Sequence, residues 1–320
     1  MSRAEGGPAG TGLRRPGLPG HALVLLAVLT LVWGTNWPLF PIAMREISVW
    51  TFRAVSTTAA GVVLLVVARA MGISLSVPRR YWSSLVGAAL LYLAIWNIAS
   101  GYAAVLLPSG QAAVIGFTMP LWATLINWVL FGERPGRWLA LAIALGALAV
   151  VVLMLPTILA TGRVSGGFAW GLLAAIGWAS GTIVLKRGAI QVPAPVLTGW
   201  QLLIAAVPIC VIAVFAGDHR YFTPTLTTVA AVSYITLVPM VIGNICWFRI
   251  VDLLPANVAG LSAILVPIVA MISGAVVLDE PLGPLQWLAM LLSTTAITIA
   301  MQSQRRRRPA VRRRKRSNYA

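Results

Sequence analysis

Runs of about 20 apolar residues follow one another along nearly the whole chain, divided by short polar or Pro/Gly breaks, and each run is long enough to cross a bilayer as a helix. The apolar positions are continuous. They do not alternate with polar ones, so the pattern is not that of half-buried or barrel strands. Reading the runs between their breaks predicts helices over 22–43, 49–70, 82–105, 109–131 and 137–156, then over 167–186, 195–216, 225–250, 256–278 and 284–302. The first run follows Arg14 and Arg15 as a signal sequence would, but its length and the nine spans after it mark it as a retained helix. The pattern predicts an all-α integral membrane protein with ten transmembrane helices.

Composition agrees with this reading. The 320 residues are 59% hydrophobic and 10% charged, with a mean hydropathy of +0.89; a water-soluble fold could not cover so much apolar surface. The net charge of +17 changes the picture only once it is located. Nine of the 24 basic residues lie between Arg305 and Arg316, directly after the last apolar run, where a basic tail meets anionic lipid headgroups. A nucleic-acid partner is not expected. The remaining basic residues set the orientation. With the N-terminus in the cytoplasm, 20 basic residues are cytoplasmic and only Arg45, Arg163 and Arg220 are external, so both termini are expected inside. The Ala-, Val- and Arg-rich composition suggests a high-GC bacterium and hence its inner membrane. Cys210 and Cys246 read as small buried hydrophobes, with no metal or disulfide role.

The chain also repeats itself. At an offset of 147, Asn97 meets Asn244, Leu106-Leu107-Pro108 meets Leu253-Leu254-Pro255, and Ala112, Pro120, Ala123 and Glu133 meet Ala259, Pro267, Ala270 and Glu280. The ungapped match from Ile95 to Glu133 is 11 of 39. With small gaps, Trp33 corresponds to Trp178 and Arg53 to Gln201. Each unit holds five spans, an odd number, so the second enters the membrane from the opposite side. Such inverted repeats are the architecture of alternating-access transporters. The expected division is a cytoplasmic tail over 1–21, a first repeat over 22–156, an external linker over 157–166, a second repeat over 167–302, and a basic cytoplasmic tail over 303–320.

The chain resembles the drug/metabolite transporter superfamily, and within it the EamA type with ten helices. The resemblance is carried by Leu31-Val32-Trp33-Gly34-Thr35-Asn36, by Arg53, by Leu107-Pro108-Ser109-Gly110, by Pro120, and by Phe131-Gly132-Glu133-Arg134-Pro135. Leu254-Pro255-Ala256-Asn257, Pro267 and Asp279-Glu280-Pro281 restate it in the second half. The resemblance implies a basket of helices around a central cavity, with the fifth and tenth spans peripheral. It also implies a small-molecule substrate: an amino acid, another metabolite or a drug. Within the family, the tryptophan content points toward the amino-acid exporter branch that resembles YddG, which handles aromatic and other neutral amino acids.

Candidate chemistry is sparse. Arg53, about one turn inside the second span, is the one basic residue set within a span and not at its last or first residues, and intramembrane charge is expensive and usually functional. It is expected to hold an external gate, to meet a substrate carboxylate, or to snorkel toward headgroups. The structural role is preferred. No Asp or Glu lies at mid-span, so coupling to protons or sodium is not expected, and neither is the membrane glutamate of the small multidrug branch. Amides inside spans should point inward; Asn36 and the mates Asn97 and Asn244 are candidate substrate contacts. Tyr92, Trp96, Trp247 and the mates Trp33 and Trp178 sit deep enough to line a cavity, while Trp50, Trp82, Trp138, Trp170, Trp200 and Trp287 lie near span ends as an interfacial belt. Pro120 and Pro267 are expected to interrupt matching helices and act as hinges or gates; Pro38, Pro41, Pro208 and Pro239 have no mates. No His, Asp or Glu cluster suits catalysis, and no cofactor is expected. The expectation is an exporter of neutral amino acids, aromatic ones among them, or of similar small metabolites, working uncoupled and as a monomer. Efflux of other metabolites or drugs, with proton coupling, is the alternative.

Overall fold

The structure is a computed structural model that describes residues 20–218, 224–253 and 261–306. The expectations for Leu254-Pro255-Ala256-Asn257, Ala259, Arg220 and most of both tails fall outside them. Among the described residues seven segments are long and apolar enough to cross a membrane, and three shorter apolar helices, Val24–Thr35, Leu265–Leu278 and Pro284–Ala300, supply the first, ninth and tenth spans.

The first span is not continuous. Helix α1 (Gly20–Thr35) stops, and a short α2 (Leu39–Ala43) resumes after a turn at Asn36-Trp37-Pro38. Pro38 has no N–H and disfavours helical geometry at Trp37, so the chain closes the gap with tight bonds from Trp37 N to Gly34 O (3.3 Å) and from Leu39 N to Asn36 O (3.2 Å). The second span is α3 (Val49–Ala70), capped by Ser48 Oγ, which accepts from Thr51 N at 3.2 Å. The third runs from α4 (Trp82–Ala88) through a π-helical stretch, Ala89–Ala94, into α5 (Ile95–Leu106). The fourth is broken into α6 (Ser109–Gly116) and α7 (Met119–Phe131), where a continuous helix would drive the Pro120 ring into the Gly116 carbonyl. Helix α8 (Arg137–Thr161) completes the first half.

The second half repeats the plan with α9 (Gly166–Arg187), α10 (Ala194–Ala216) and α11 (Leu226–Leu237). A π-helical stretch, Val238–Ile242, joins α11 to α12 (Gly243–Leu253), and α13 (Leu261–Leu278) and α14 (Pro284–Arg306) follow. One expectation fails here. Pro120 and Pro267 do not interrupt their spans alike: Pro120 begins a new helix after a break, whereas α13 carries Pro267 inside an unbroken helix.

Packing follows the internal symmetry. Helix α3 lies along its mate α10, and α8 along its mate α14, at the periphery. Helix α9 packs on the third and fourth spans, just as α1 packs on the eighth and ninth. Exchanging the two halves leaves this neighbour map unchanged, as an approximate two-fold axis in the membrane plane requires. Small residues let the helices close in. A Cβ at Gly110 would lie 2.6 Å from Met271 Cγ, and one at Gly181 would lie 2.4 Å from Tyr92 Cβ.

Loop contacts sort the connections onto two faces. On one, Asp218 Oδ2 accepts from Ser48 N at 2.7 Å and Glu46 Oε2 from Thr225 N at 2.8 Å. The Thr225 backbone bond holds the Glu46 carboxyl below its usual range. Ser165 Oγ donates to Leu106 O at 3.4 Å on the same face. On the other, Trp200 Nε1 donates to Leu75 O at 2.9 Å and Arg187 pairs with Glu133 at 3.2 Å.

Candidate functional site

Among the described residues, the two helix breaks and the two π-helical stretches of the spans meet at one place. The α1–α2 turn contributes Asn36 and Trp37, the α6–α7 break contributes Phe117 and Met119, and the two π-helical stretches contribute Tyr92, Leu93, Pro239 and Met240 to the wall of one cavity of about 110 Å³. Non-helical backbone at membrane depth is tolerated only where it is buried in protein or lines a cavity, and π-bulges gather at functional sites. Trp33, Phe40, Arg53, Trp96, Asn97, Trp178, Thr198, Leu202 and Asn244 complete the wall. None of these residues is acidic. A larger groove of about 290 Å³ beside α7, α8 and α9 has no amide or charged side chain on its wall.

The aromatic side chains form a connected chain around the cavity. Tyr92 meets Trp178 edge-on at 4.3 Å between ring centroids, Trp178 meets Trp96 at 4.6 Å, Trp96 meets Trp37 at 6.2 Å, and Trp37 meets Phe40 at 5.7 Å. Such edge-to-face contacts hold rings at fixed angles. From the other side Trp33 donates its indole N–H to Pro239 O at 3.1 Å. Pro239 has no mate in the first half, yet its carbonyl orients the first tryptophan of the site.

The mated amides do the same thing in both halves. Asn97 Nδ2 donates to Leu93 O at 2.8 Å and Asn244 Nδ2 donates to Met240 O at 2.6 Å; Leu93 and Met240 are themselves mates at the offset of 147. Each amide satisfies a carbonyl in its own π-helical stretch, and its carbonyl oxygen is left as an acceptor. Asn36 Oδ1 is buried with no partner among the described residues.

Arg53 does not snorkel. It is 2% exposed, lies on the cavity wall, and sits 4.5 Å from the Phe40 ring centroid and 4.7 Å from that of Phe52. Its Nη2 donates to Ser100 Oγ at 3.2 Å. The reason is local: α3 is covered by α5 and α10 at this level, so the side chain has no path to the surface.

Seven of the eight residues expected to contact substrate line the cavity. Trp247 does not. It lies one turn beyond Asn244 and packs on Trp33 at 5.9 Å, among Leu25, Leu26, Leu29 and Ile250. Pro120 and Pro267 are off the wall too, although the break just before Pro120 presents Phe117 and Met119. Trp37, Phe40, Phe117, Met119, Thr198 and Leu202 were not anticipated. For Trp37 the signal was the following Pro38; the others carry no mark in an apolar span.

The EamA-like transporter family model matches the chain twice, over residues 18–155 and 165–302. The chain is 25% identical to the uncharacterized transporter YvbV of Bacillus subtilis (strain 168) over 280 residues, 86% of this chain and 90% of that one. It is 28% identical to the uncharacterized inner membrane transporter YedA of Escherichia coli (strain K12) over 285 residues, 86% and 88% of the two chains. With a probable amino-acid metabolite efflux pump of Escherichia coli (strain K12) it shares 30% identity over 203 residues, 60% of this chain and 67% of that one. A crystal structure 18% identical superposes with a TM-score of 0.63, covering 90% of this chain and 99% of the other, and supports the same fold. Two copies of one five-helix unit, packed symmetrically around an aromatic cavity, and a family match to each copy lead to one conclusion: the chain belongs to the EamA-like transporter family and is a multi-pass membrane transporter of small molecules.

Proposed function

We propose that this transporter exports neutral amino acids, aromatic ones among them, from the bacterial cytoplasm by uncoupled alternating access. The observation that carries the reading is the cavity wall, which is aromatic, contains three asparagines and one arginine, and lacks any carboxylate. Flat aromatic faces suit an apolar side chain and attract an ammonium group, while amide oxygens and donors suit a zwitterion's ends. A proton- or sodium-driven carrier needs an ionisable group that alternates between faces, and no acidic residue stands at this site. The similarity to a probable amino-acid metabolite efflux pump favours export of the same class. The excess of basic residues in the connections on the Glu133 side puts that side, with both termini, in the cytoplasm. Both halves of the cavity come from one chain, which supports a monomer as the working unit.

Proteoliposomes and a panel of labelled amino acids test this reading. Neutral amino acids are expected to equilibrate down their own gradients, and an imposed pH gradient is expected to leave the plateau unchanged. Accumulation driven by pH alone would overturn the uncoupled mechanism. A panel in which no neutral amino acid moves, while other metabolites do, would overturn the cargo.

A further inference from the structure

Arg53 is the one buried charged side chain among the described residues, and its surroundings leave it short of partners. Of its five N–H donors, only one, on Nη2, has an acceptor among the described residues, the Ser100 hydroxyl at 3.2 Å. Its Nε is buried with no hydrogen-bond partner, and no carboxylate pairs with it among the described residues. The two phenylalanine rings that flank it attract the cation but accept no strong hydrogen bond. A buried guanidinium with free donors is costly unless something supplies an acceptor. On its α5 side the packing is already tight: a Cβ at Gly101 would lie 2.7 Å from Val49 Cγ1 and 3.6 Å from Arg53 Nε. The free side of the guanidinium is the cavity.

The site is also confined to one half. At the mated positions, Gln201 replaces Arg53 and Trp247 replaces Ser100. A group kept only for helix packing would serve equally in both halves of a symmetric bundle. A group that binds one end of an asymmetric substrate is needed once.

We infer that Arg53 is the anchor for a substrate carboxylate, so that the cargo is a molecule with a carboxylate at one end, an ammonium group, and a flat apolar body. The guanidinium accepts a carboxylate in its planar fork. The oxygens of Asn36, Asn97 and Asn244 provide acceptors for the ammonium group, because the bonds from Asn97 Nδ2 to Leu93 O and from Asn244 Nδ2 to Met240 O each use an amide N–H and turn no amide oxygen into a partner. The ring chain from Tyr92 to Trp37 receives the body of the molecule. This inference deepens the amino-acid reading and rests on the cavity being the transport site.

The test compares three related probes in proteoliposomes: tryptophan, tryptamine, which lacks the carboxylate, and indole-3-propionate, which lacks the amine. The wild-type protein is expected to move tryptophan, and tryptamine about 100-fold more slowly, because a site built around a buried hydrogen-bonding group rejects an analogue that leaves it unpaired. Arg53→Gln, which copies the mated Gln201, is expected to lose tryptophan flux by a similar factor and to raise tryptamine flux, because the guanidinium that tryptamine leaves unpaired is gone. Arg53→Lys retains the charge without the fork and is expected to fall between them. Each variant's melting in detergent is checked, and tryptamine flux at or above the wild-type level serves as an internal control for folding. Equal wild-type flux of tryptophan and tryptamine would overturn the anchor but leave amino-acid export standing. Arg53-dependent flux of indole-3-propionate with no flux of any amino acid would overturn amino-acid export but uphold the carboxylate anchor. Tryptophan flux that survives Arg53→Gln would overturn the anchor outright.

Discussion

At the scale of single residues the two halves agree in detail that composition does not impose. Helix α7 ends with Gly132 at φ 69° and α13 with Asp279 at φ 54°, and these are mates at the offset of 147. The next N–H closes the same bond in both halves, Glu133 N to Asn127 O at 3.2 Å and Glu280 N to Gly274 O at 3.4 Å. This is the left-handed helix cap. Nothing would touch a Cβ at Gly132, so the φ angle alone sets the penalty there. Gly132→Ala is expected to destabilise by about 1 kcal/mol, read as a lower melting temperature in detergent. Asp279→Gly is expected to stay within about 0.5 kcal/mol, because relief of strain is offset by the extra freedom of glycine in the unfolded chain. An unaffected Gly132→Ala protein would show that the cap geometry does not matter. Much of the site was legible at this scale: the repeat singled out Asn97, Asn244, Trp33 and Trp178, and rarity singled out Arg53. Phe40, Phe117, Met119 and Leu202 were not legible, since an apolar residue inside an apolar span says nothing about whether it faces lipid, a neighbouring helix or a cavity. The same ambiguity put Trp247 on the wall when it packs behind Trp33.

At the scale of elements, interruptions do most to place the site. The sequence marked ten spans by their hydropathy, and the boundaries of α3, α9 and α10 fall within a residue or so of those expected. It did not mark the breaks in the first and fourth spans, because Pro38 and Pro120 sit in apolar runs as Pro208 and Pro267 do, and the latter two lie inside continuous helices. Whether a proline breaks a buried helix depends on what neighbouring helices offer to the freed carbonyls. Element ends also explain the mated glutamates. Glu280 receives the Ser109 N–H at 2.8 Å and 2.9 Å and the Ser109 hydroxyl at 2.7 Å, which places a carboxylate at the positive N-terminus of α6 and ties the two halves together. Its mate Glu133 instead pairs with Arg187, with 59% and 48% of the two side chains exposed. Glu280→Gln is therefore expected to lower stability by about 1–3 kcal/mol, while Glu133→Gln changes it by under about 1 kcal/mol. Equal melting temperatures for the two variants would contradict this assignment.

For the whole molecule, mates with different partners matter more than mates that agree. On the Glu46 face, Asp218, Glu46 and Glu280 each accept a backbone N–H from the opposite half. On the other face the described ties between halves are the Arg187–Glu133 pair and the Trp200–Leu75 bond. An inverted repeat whose halves exchange shapes opens one face as it closes the other, and this asymmetry is that of a bundle tied more firmly on the Glu46 face. In the proposed mechanism the substrate crosses between the halves, past the cavity wall that both build, with Trp33 and Trp178 as its mated aromatic sides. The most direct measurement is flux in proteoliposomes, for the amino acid that the wild-type protein moves fastest, through Trp33→Ala and Trp178→Ala variants. Trp287→Ala, 44% exposed at the periphery, serves as the control. Flux is predicted to fall about tenfold or more in each cavity variant and to hold in the control, with melting temperatures showing all three folded. Wild-type flux through both cavity variants would contradict the account, because the substrate would then be crossing somewhere other than this aromatic cavity.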